Sequence, residues 1–535
     1  MSNETMHLMT NLCAGAGPLA LLVFGLLPTA GLNRQGKRAA RTAATLALAA
    51  FGASLLAAVT LLGHSSPDPQ AAPADGMAAF IYFDNLAAVL LVLVSFLLAV
   101  VSRYAINYLA GDPAQGRFTK WLCLTGGAVL TIILSGNLVQ FALAWCATSL
   151  GLHQLLLFYP DRPGAVLAAR KKFIISRLGD VCLLTVIVLV HQTFHSWNFS
   201  VLFAAARQIH QAGVSTGMDI SAIAFLLVAG AMLKSAQFPF HSWLPDTMET
   251  PTPVSALMHA GIINAGGYLI IRMQPLVTLS PAAMSTLALF GAFTALFASL
   301  VMLTHASVKR SLAFSTVAQM GFMMLECGLG AFGLAVLHLV AHSLYKAHAF
   351  LASGSMVSLT KSAWTPTARP QAHPLTLVAA FATAIGLVML AMRWLGLEAG
   401  HAPAPVLLGC TFAMALAYAL WNLWSQSLNF KMAAFGAVVG GGIMVVYFEL
   451  HQVFSRLTGQ NEWANSQLNT WPGMVLMAVL LTLFLLVLVV QTQLPTWTHR
   501  PFFQAAYVHA RNGFYFTTLA NRLVAAVWPV KKNLK

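Results

Sequence analysis

The sequence predicts an all-α membrane protein that crosses the bilayer many times. Of its 535 residues, 58% are hydrophobic and only 8% are charged, and the mean hydropathy is +0.75. Soluble domains carry about 25% charged residues. Apolar stretches of about 20 residues, the length needed to span a bilayer, recur along the whole chain. These observations exclude a soluble domain and favour a polytopic helical protein.

Hydrophobic segments place about 14 to 15 membrane-spanning helices along the chain. Their centres lie near residues 22, 52, 92, 128, 148, 183, 229, 263, 293, 319, 345, 385, 414, 443 and 482. In the segment around residue 229, Pro239 and Pro245 follow Lys234 closely. The residue before a proline is pushed out of helical geometry, and broken helices occur at membrane depth where they line a cavity. We therefore predict a broken helix after Lys234.

The distribution of basic residues predicts the topology. With the N-terminus outside, 23 of the 29 Lys and Arg residues fall in inner loops or in the C-terminal segment. Such an excess marks the cytoplasmic side, so we expect an outer N-terminus, an inner C-terminus and an odd number of spans. Residues 1–493 then form the transmembrane domain, and residues 494–535 form a basic cytoplasmic tail. The net charge of +15 is explained by topology, and no nucleic-acid partner is expected.

Motifs for enzymatic chemistry are missing from the sequence. The six cysteines are scattered through apolar segments without metal-type spacing, and no Walker A motif, HExxH or CxxC is present. We expect no catalytic residue, no metal site and no cofactor in this chain. An ion gradient is the expected source of energy.

Two lysines lie inside long apolar runs and are not explained by topology. Lys234 and Lys346 have no acid close in sequence. A charged side chain in hydrocarbon is costly, so an intramembrane lysine usually faces a polar cavity or a group that titrates with it. Two of them on separate segments indicate ion or proton handling within the membrane.

Three histidines accompany the lysines. His338, His342 and Lys346 are spaced four residues apart, which places them on one face of a helix. Histidine titrates near neutrality and a buried lysine can release its proton, so the row fits a proton relay. His259, about one span after Lys234, could link the two lysines. Hydrogen bonds that pack helices together are the alternative interpretation for each histidine.

Four further residues are candidates for the path or for coupling. His153 is an intramembrane histidine, and Lys309 lies in a basic loop. Asp180 follows Arg177 by three residues, so an ion pair on one helix is expected, with a structural role favoured. Glu326 is expected near the outer end of its span, at the interface.

Three stretches carry a family resemblance. They are KSAQFPFHSWLPDTMETPTPVSALMHAGIINAGGYLI (234–270), SVKRSLAFSTVAQMGFMML (307–325) and HLVAHSLYKAHAFLASGS (338–355). Together they resemble the proton-conducting antiporter-like subunits of respiratory complex I and Mrp antiporters, with a core match over residues 80–360. The resemblance implies a fold of broken helices and inverted repeats. It also implies that Lys234 is a mid-membrane lysine, His259 a bridging histidine, Lys309 a basic loop-end residue, and His338, His342 and Lys346 a downstream relay.

The sequence departs from that family at two points. The family has a glutamate after the tryptophan of the fifth span, as partner for the first lysine, whereas Cys146 follows Trp145 here. His153, two turns further along the same face, is a candidate substitute. The second departure is that the FSKDE-type segment of a later broken helix has no clear counterpart after residue 375.

The stretch SLGLHQLLLFYPDRPGAVLAARKKFIISRLGD (149–180) resembles the membrane subunit of the DAB-type inorganic-carbon accumulation system of bacteria. This resemblance implies a bacterial inner-membrane location and a large zinc-binding partner related to β-carbonic anhydrases, so zinc is expected in the partner subunit. The chain would use an ion flow, of protons or of sodium, to energise carbon accumulation. Two alternatives stay open: a complex I-like or Mrp-like ion-translocating subunit, and a membrane scaffold whose polar residues only hold helices together.

Overall fold

The computed structural model describes residues 3–62, 80–213, 217–354, 374–394, 403–424, 430–458, 471–497 and 499–528. These residues form helices joined by short turns, without a named β-strand among them. The first part of the chain contains α1 (Asn3–Leu26), α2 (Thr29–Arg34), α3 (Gly36–Leu62), α4 (Asn85–Tyr108), α5 (Gln115–Leu134), α6 (Leu138–Leu156), α7 (Pro163–Phe194), α8 (Phe199–Ala212) and α9 (Met218–Lys234). The middle contains α10 (Thr252–Ala260), α11 (Ala265–Arg272), α12 (Gln274–Val277), α13 (Pro281–Met302), α14 (Val308–Gly328) and α15 (Phe332–Leu351). The last part contains α16 (Pro374–Trp394), α17 (Pro403–Trp424), α18 (Phe430–Thr458), α19 (Trp471–Trp497), α20 (Pro501–Arg511) and α21 (Phe516–Val527).

The predicted class of fold, a polytopic helical membrane protein, is confirmed. Within the described residues, 11 helices are long and apolar enough to cross a membrane. Every predicted span centre lies inside a helix or, for residue 263, inside the turn between α10 and α11. Lys234 lies at the end of α9 and His259 lies on α10, helices of 17 and 9 residues, whereas His338, His342 and Lys346 lie on the span α15.

Two breaks interrupt the helices around the candidate site. The predicted break is present, because α9 ends at Lys234 and only the short turns Phe240–Trp243 and Thr247–Glu249 precede α10. A second break, which the sequence analysis missed, separates α10 from α11 at the turn Ile262–Asn264. The two breaks meet where the Ser235 hydroxyl donates a hydrogen bond to the Ile263 carbonyl, at 2.7 Å.

Small residues let the helices approach closely around these breaks. A Cβ atom on Gly266 of α11 would lie 2.4 Å from the Ala231 carbonyl of α9, and one on Gly291 of α13 would lie 2.5 Å from the Leu325 nitrogen of α14. Helices in lipid associate through such close packing, since water does not drive them together. The glycines therefore fix how the broken segments sit against their neighbours.

The two ends of the bundle differ in charge. At one end, Arg272 donates two hydrogen bonds to Asp84, at 2.6 and 3.0 Å. Asp84 also accepts a hydrogen bond from the Ala87 nitrogen and so caps α4. Through Asp84, the start of α4 is joined to the end of α11. The other end, called the basic end below, holds the starts of α5, α7 and α14 with their lysines and arginines.

The C-terminal segment is folded onto the basic end. Helix α19 continues to Trp497, past the boundary predicted at residue 493. The short helices α20 and α21, residues 501–527, then form what we call the C-terminal hairpin. Tyr507 donates a hydrogen bond to the Thr304 carbonyl at 3.4 Å, and Arg170 donates one to the Trp528 carbonyl at 2.8 Å.

Candidate functional site

The first lysine site lies where the broken end of α9 meets α6. Lys234 is 7% exposed and donates a hydrogen bond to the Ser149 hydroxyl at 2.9 Å. Its ammonium lies 4.2 Å from the centre of the Trp145 ring, a desolvated cation–π contact that contributes about 2 kcal/mol. The Trp145 carbonyl is a further, marginal acceptor at 3.5 Å. Among the described residues, neutral oxygen atoms accept the hydrogen bonds of this lysine.

Helix α7 brings additional charges to the same place. Lys172 is 3% exposed and donates to the Ser149 carbonyl at 2.6 Å, so one serine joins two lysines. Asp180, at 5% exposure, lies 2.7 Å from Arg177, which confirms the predicted i, i+3 ion pair. The Asp180 carboxylate also interacts electrostatically with Lys234 and with the Cys146 thiol.

Charge is unbalanced in this cluster. Lys172, Lys234 and Arg177 supply three potential positive charges, while Asp180 supplies one negative charge. Like charges in a low-dielectric interior repel strongly, so the fully charged state is costly. Because this repulsion favours loss of a proton from one lysine, a cluster with excess positive charge is suited to binding and releasing protons.

The structure separates His153 from the first lysine. Its ring lies 5.0 Å from Phe173, its Nδ1 atom has no hydrogen-bond partner in the described part of the chain, and Lys172 is its principal charged neighbour. The acid that acts on Lys234 is instead Asp180, on the neighbouring helix α7. Helices α7 and α9 pack together there, since a Cβ atom on Gly179 would lie 3.9 Å from the Gly230 carbonyl oxygen.

The second lysine site lies between α14 and α15. Lys346 is fully buried and donates hydrogen bonds to the Ser315 hydroxyl at 2.7 Å and the Leu312 carbonyl at 3.3 Å. No carboxylate pairs with it among the described residues. Like Lys234, it is held by neutral oxygen atoms.

A row of ionisable groups leads from Lys346 toward the end of the bundle that holds Asp84. His342 is 4% exposed, and neither of its ring nitrogens has a hydrogen-bond partner in the described structure. Its ring lies 6.1 Å from that of His338, and His338 Nδ1 lies 2.9 Å from Glu326 Oε2. Glu326 lies at the end of α14, as expected, but it is 5% exposed and paired instead of lying open at the interface.

His259 lies on α10 beside this row. Its Nδ1 atom is 3.1 Å from the Thr316 hydroxyl, and its ring stacks on Phe350 at 4.2 Å. Its Nε2 atom has no partner among the residues described. His259 interacts electrostatically with both Lys346 and His342, so the structure brings these three predicted residues together.

The broken segments connect the two lysine sites. Ser235, next to Lys234, binds the Ile263 carbonyl. Asn264, next in the same turn, donates to the Ser343 hydroxyl on α15 at 2.8 Å. Ser235 at the first break and Asn264 at the second therefore place polar side chains between Lys234 and α15.

Lys309 lies apart from the relay. It is at the start of α14, on the basic end, and donates to the Thr252 hydroxyl at 3.3 Å. This contact ties α14 to the first turn of α10.

Sequence reasoning missed several residues of the site. Lys172 was counted with the topology signals, and Ser149, Ser315 and Thr316 carry no charge that would have drawn notice. The only sequence signal was the pair Lys171–Lys172, which falls inside a long apolar segment. In the described residues, no cluster of His, Cys, Asp and Glu could hold a metal ion.

Comparison with known proteins identifies the family. Residues 135–443 match the family described as NADH:quinone oxidoreductase/Mrp antiporter, TM. The chain belongs to this antiporter family. Residues 77–119 match a second family description, NADH-ubiquinone oxidoreductase (complex I), chain 5 N-terminus. The resemblance stated from the sequence is thereby confirmed.

Two relatives in this antiporter family are named for inorganic carbon transport. The chain is 42% identical to "Probable inorganic carbon transporter subunit DabB2" of Halothiobacillus neapolitanus, over 90% of this chain and 88% of that one. It is 47% identical to "Probable inorganic carbon transporter subunit DabB" of Hydrogenovibrio crunogenus, over 51% of this chain and 52% of that one.

A solved structure shares the fold. The Mrp complex from Dietzia sp. aligns with a TM-score of 0.62 and 21% identity, over 99% of this chain and 60% of that one. That structure is of a complex, and the carbon-transport relatives are named as subunits. This protein is therefore a multi-pass membrane protein of a family whose members work as subunits.

Proposed function

We propose that this chain is the ion-conducting membrane subunit of an inorganic-carbon accumulation complex. Protons are the favoured ion, and their flow down a gradient would energise a large zinc-binding partner related to β-carbonic anhydrases. The partner would hydrate CO2 in one direction or otherwise accumulate bicarbonate. Similarity to a carbon transporter subunit over 88% of that relative's length is the observation that carries the proposal.

The geometry supports conduction by this chain. Lys234 and Lys346 are buried against neutral serine hydroxyls, so each can lose its proton without leaving an unpaired carboxylate behind. Near Lys346, His259 Nε2 and both ring nitrogens of His342 lack a hydrogen-bond partner among the described residues. A neutral imidazole nitrogen accepts a proton and its other nitrogen releases one. The row Lys346, His342, His338 and Glu326 then carries the proton toward the far end of the bundle.

The same proposal includes location and orientation. We place the chain in a bacterial inner membrane, with the basic end and the C-terminal hairpin on the cytoplasmic side, as the distribution of Lys and Arg indicates. The zinc partner would then bind on the cytoplasmic side. This chain contributes no catalytic residue and no cofactor to the complex.

The partner is tested by affinity purification from native cells in mild detergent, followed by mass spectrometry and zinc analysis. We expect a stoichiometric large zinc protein. Copurification of quinone-oxidoreductase or small antiporter subunits instead would contradict the carbon-accumulation assignment.

The second candidate is a complex I-like or Mrp-like ion-translocating subunit. It is favoured by 38% identity to NAD(P)H-quinone oxidoreductase chain 5 of Synechocystis sp., over 51% of this chain and 40% of that one. It predicts quinone-linked or sodium-linked activity, and no effect of the chain on carbon uptake. Uptake of labelled inorganic carbon by cells with and without the chain separates the two candidates.

A further inference from the structure

His241 is a buried histidine on the basic end, outside the relay described above. It lies in the turn Phe240–Trp243, after the broken end of α9, and it is fully buried. Both of its ring nitrogens lack a hydrogen-bond partner among the described residues. Burial of an unpartnered imidazole costs free energy, and such groups in a native structure usually have a functional reason.

An ion pair lies next to this histidine. Lys171 is 1% exposed and contacts the Asp246 carboxylate, whose side chain is 19% exposed. Lys171 also donates to the Ser242 carbonyl at 3.4 Å, and its charge acts on His241. We call His241, Lys171 and Asp246 the basic-end chamber. Asp246 is the most exposed of the three side chains.

The chamber is adjacent to the first lysine site through consecutive residues of α7. Lys171 turns toward Asp246, whereas Lys172 binds the Ser149 carbonyl. Consecutive side chains on a helix point about 100° apart, so one turn of α7 serves both clusters. Helix α7 therefore contributes one lysine to the chamber and the next lysine to the first site.

Aromatic rings cover the chamber. Phe238 and Phe297 lie 5.8 and 5.0 Å from the His241 ring. Phe516 of the C-terminal hairpin contacts Phe238 at 4.7 Å, and Phe514 lies 5.8 Å from Phe297. Ring contacts between the hairpin and the bundle form this cover.

The turn of the hairpin is strained, and its outer face is unpacked. Gly513, Phe514 and Tyr515 have φ values of 57°, 48° and 64°, which bulky residues rarely adopt. Such strain often marks segments that move for function. Leu519, Leu523 and Val527 are 56, 60 and 78% exposed, so few contacts hold α21 against the bundle. Weakly packed segments open most easily.

We infer that the basic-end chamber is the entrance to the first lysine site and that the C-terminal hairpin is its cover. The inference rests on the proposed ion path, to which it adds His241 as a path residue and α21 as a gate. Opening of the contact between Phe516 and Phe238 would admit water to His241. Closure would separate the lysine pair from solvent.

Thiol labelling tests the cover without relying on transport. A membrane-impermeant thiol reagent is added to the basic-end face of vesicles that contain His241→Cys, with the unsubstituted protein as the baseline for the native cysteines. Adding Phe516→Ala should raise the labelling rate at position 241 by about tenfold or more, because the cover is lost. Phe502→Ala, an exposed ring on the same hairpin that does not touch the chamber, should leave it unchanged. An equal rate in the Phe516 variant and its parent would overturn the cover.

Ion flux tests the entrance. In vesicles with the assembled complex, His241→Gln should lower the proton flux by about tenfold, because the amide fills the site but does not carry a proton. Normal flux in His241→Gln, with flux lost in Lys234→Ala, would overturn the entrance and leave the proposed function standing. Absence of flux in the unsubstituted complex would instead overturn the proposed function, while the labelling result still reports on the cover.

Discussion

The two buried lysines have the same kind of hydrogen-bond partner but opposite surroundings. Lys234 binds the Ser149 hydroxyl and Lys346 binds the Ser315 hydroxyl. Around Lys234 the neighbours are charged: Lys172, Arg177 and Asp180. Around Lys346 they are imidazoles, and the nearest acid of the row, Glu326, is paired with His338.

This difference separates two tasks. At the first site, the free energy of a proton depends on the charges of α7, so a movement of α7 or of its ion pairs would change proton occupancy. At the second site, neutral groups that can accept and donate provide a way to hand the proton on. The first site is therefore suited to coupling and the second to conduction.

Removal of either lysine is expected to have the largest effect. Lys234→Ala and Lys346→Ala should each reduce labelled-carbon accumulation to the level of cells that lack the chain, because a required proton carrier is lost. Lys→Arg at either position should fail as well, since guanidinium does not release its proton. Arg103→Ala, an exposed cation on α4, serves as the control. Normal accumulation in both alanine variants would contradict the proposed ion path. A loss of assembly that arginine restores would favour the scaffold hypothesis.

The charged surroundings of the first site are tested by Asp180→Asn. Removal of the one carboxylate leaves the buried Lys172 and Lys234 and the part-exposed Arg177 without a balancing negative charge, and loss of a hydrogen bond to a charged group costs about 1.5–3 kcal/mol. We expect carbon accumulation to fall at least about tenfold, with a lower melting temperature of the purified complex.

A carboxylate placed on α6 provides the matched rescue. Cys146→Glu in the Asp180→Asn background should restore part of both accumulation and melting temperature, because the Cys146 position faces the same charges. Normal accumulation and an unchanged melting temperature in Asp180→Asn alone would show that Asp180 is not the acid that balances Lys234.

The row of the second site is tested at its far end. Glu326→Gln removes the charged partner of His338, and a hydrogen bond to a charged group contributes about 1.5–3 kcal/mol. Proton flux should fall by roughly tenfold. The decrease in melting temperature caused by Asp180→Asn should be the same with and without Glu326→Gln, since the two sites lie on different helices. Equal flux in Glu326→Gln and the unsubstituted protein would place the proton exit elsewhere.

The two serines form the smallest and most closely matched comparison. Ser149→Ala and Ser315→Ala each remove one hydroxyl, with an expected cost of about 1 kcal/mol. Ser149→Ala should reduce flux more, because the remaining acceptor for Lys234 is the Trp145 carbonyl at 3.5 Å, whereas Lys346 keeps the Leu312 carbonyl at 3.3 Å. A larger loss in Ser315→Ala would contradict this order.

Hydrophobic periodicity predicted much of the fold. Spans in lipid must be apolar over a fixed length, so each predicted centre coincides with a helix or with the α10–α11 turn. The break after Lys234 followed from its prolines. The second break, at Ile262–Asn264, escaped notice because no proline marks it. Asn264 there makes a tertiary hydrogen bond to Ser343, which the sequence does not reveal.

Lys234, Lys346 and the histidines His259, His338 and His342 were singled out from the sequence, because charge in an apolar run is conspicuous. What could not be found was their pairing. Lys172 looks like a topology signal until α7 packs against α6, and Glu326 looks interfacial until α15 brings His338 to it. Distances between different helices are set by packing, which residue spacing along one helix does not record.

Proton flux in vesicles that contain the purified complex is the most direct test of the central claim. A pH gradient is imposed, the internal pH is followed with a dye, and inorganic carbon is then added. The proposal predicts proton entry that depends on inorganic carbon and disappears in both Lys234→Ala and Lys346→Ala. Carbon accumulation that continues in those variants, or after a protonophore has collapsed the gradient, would contradict it.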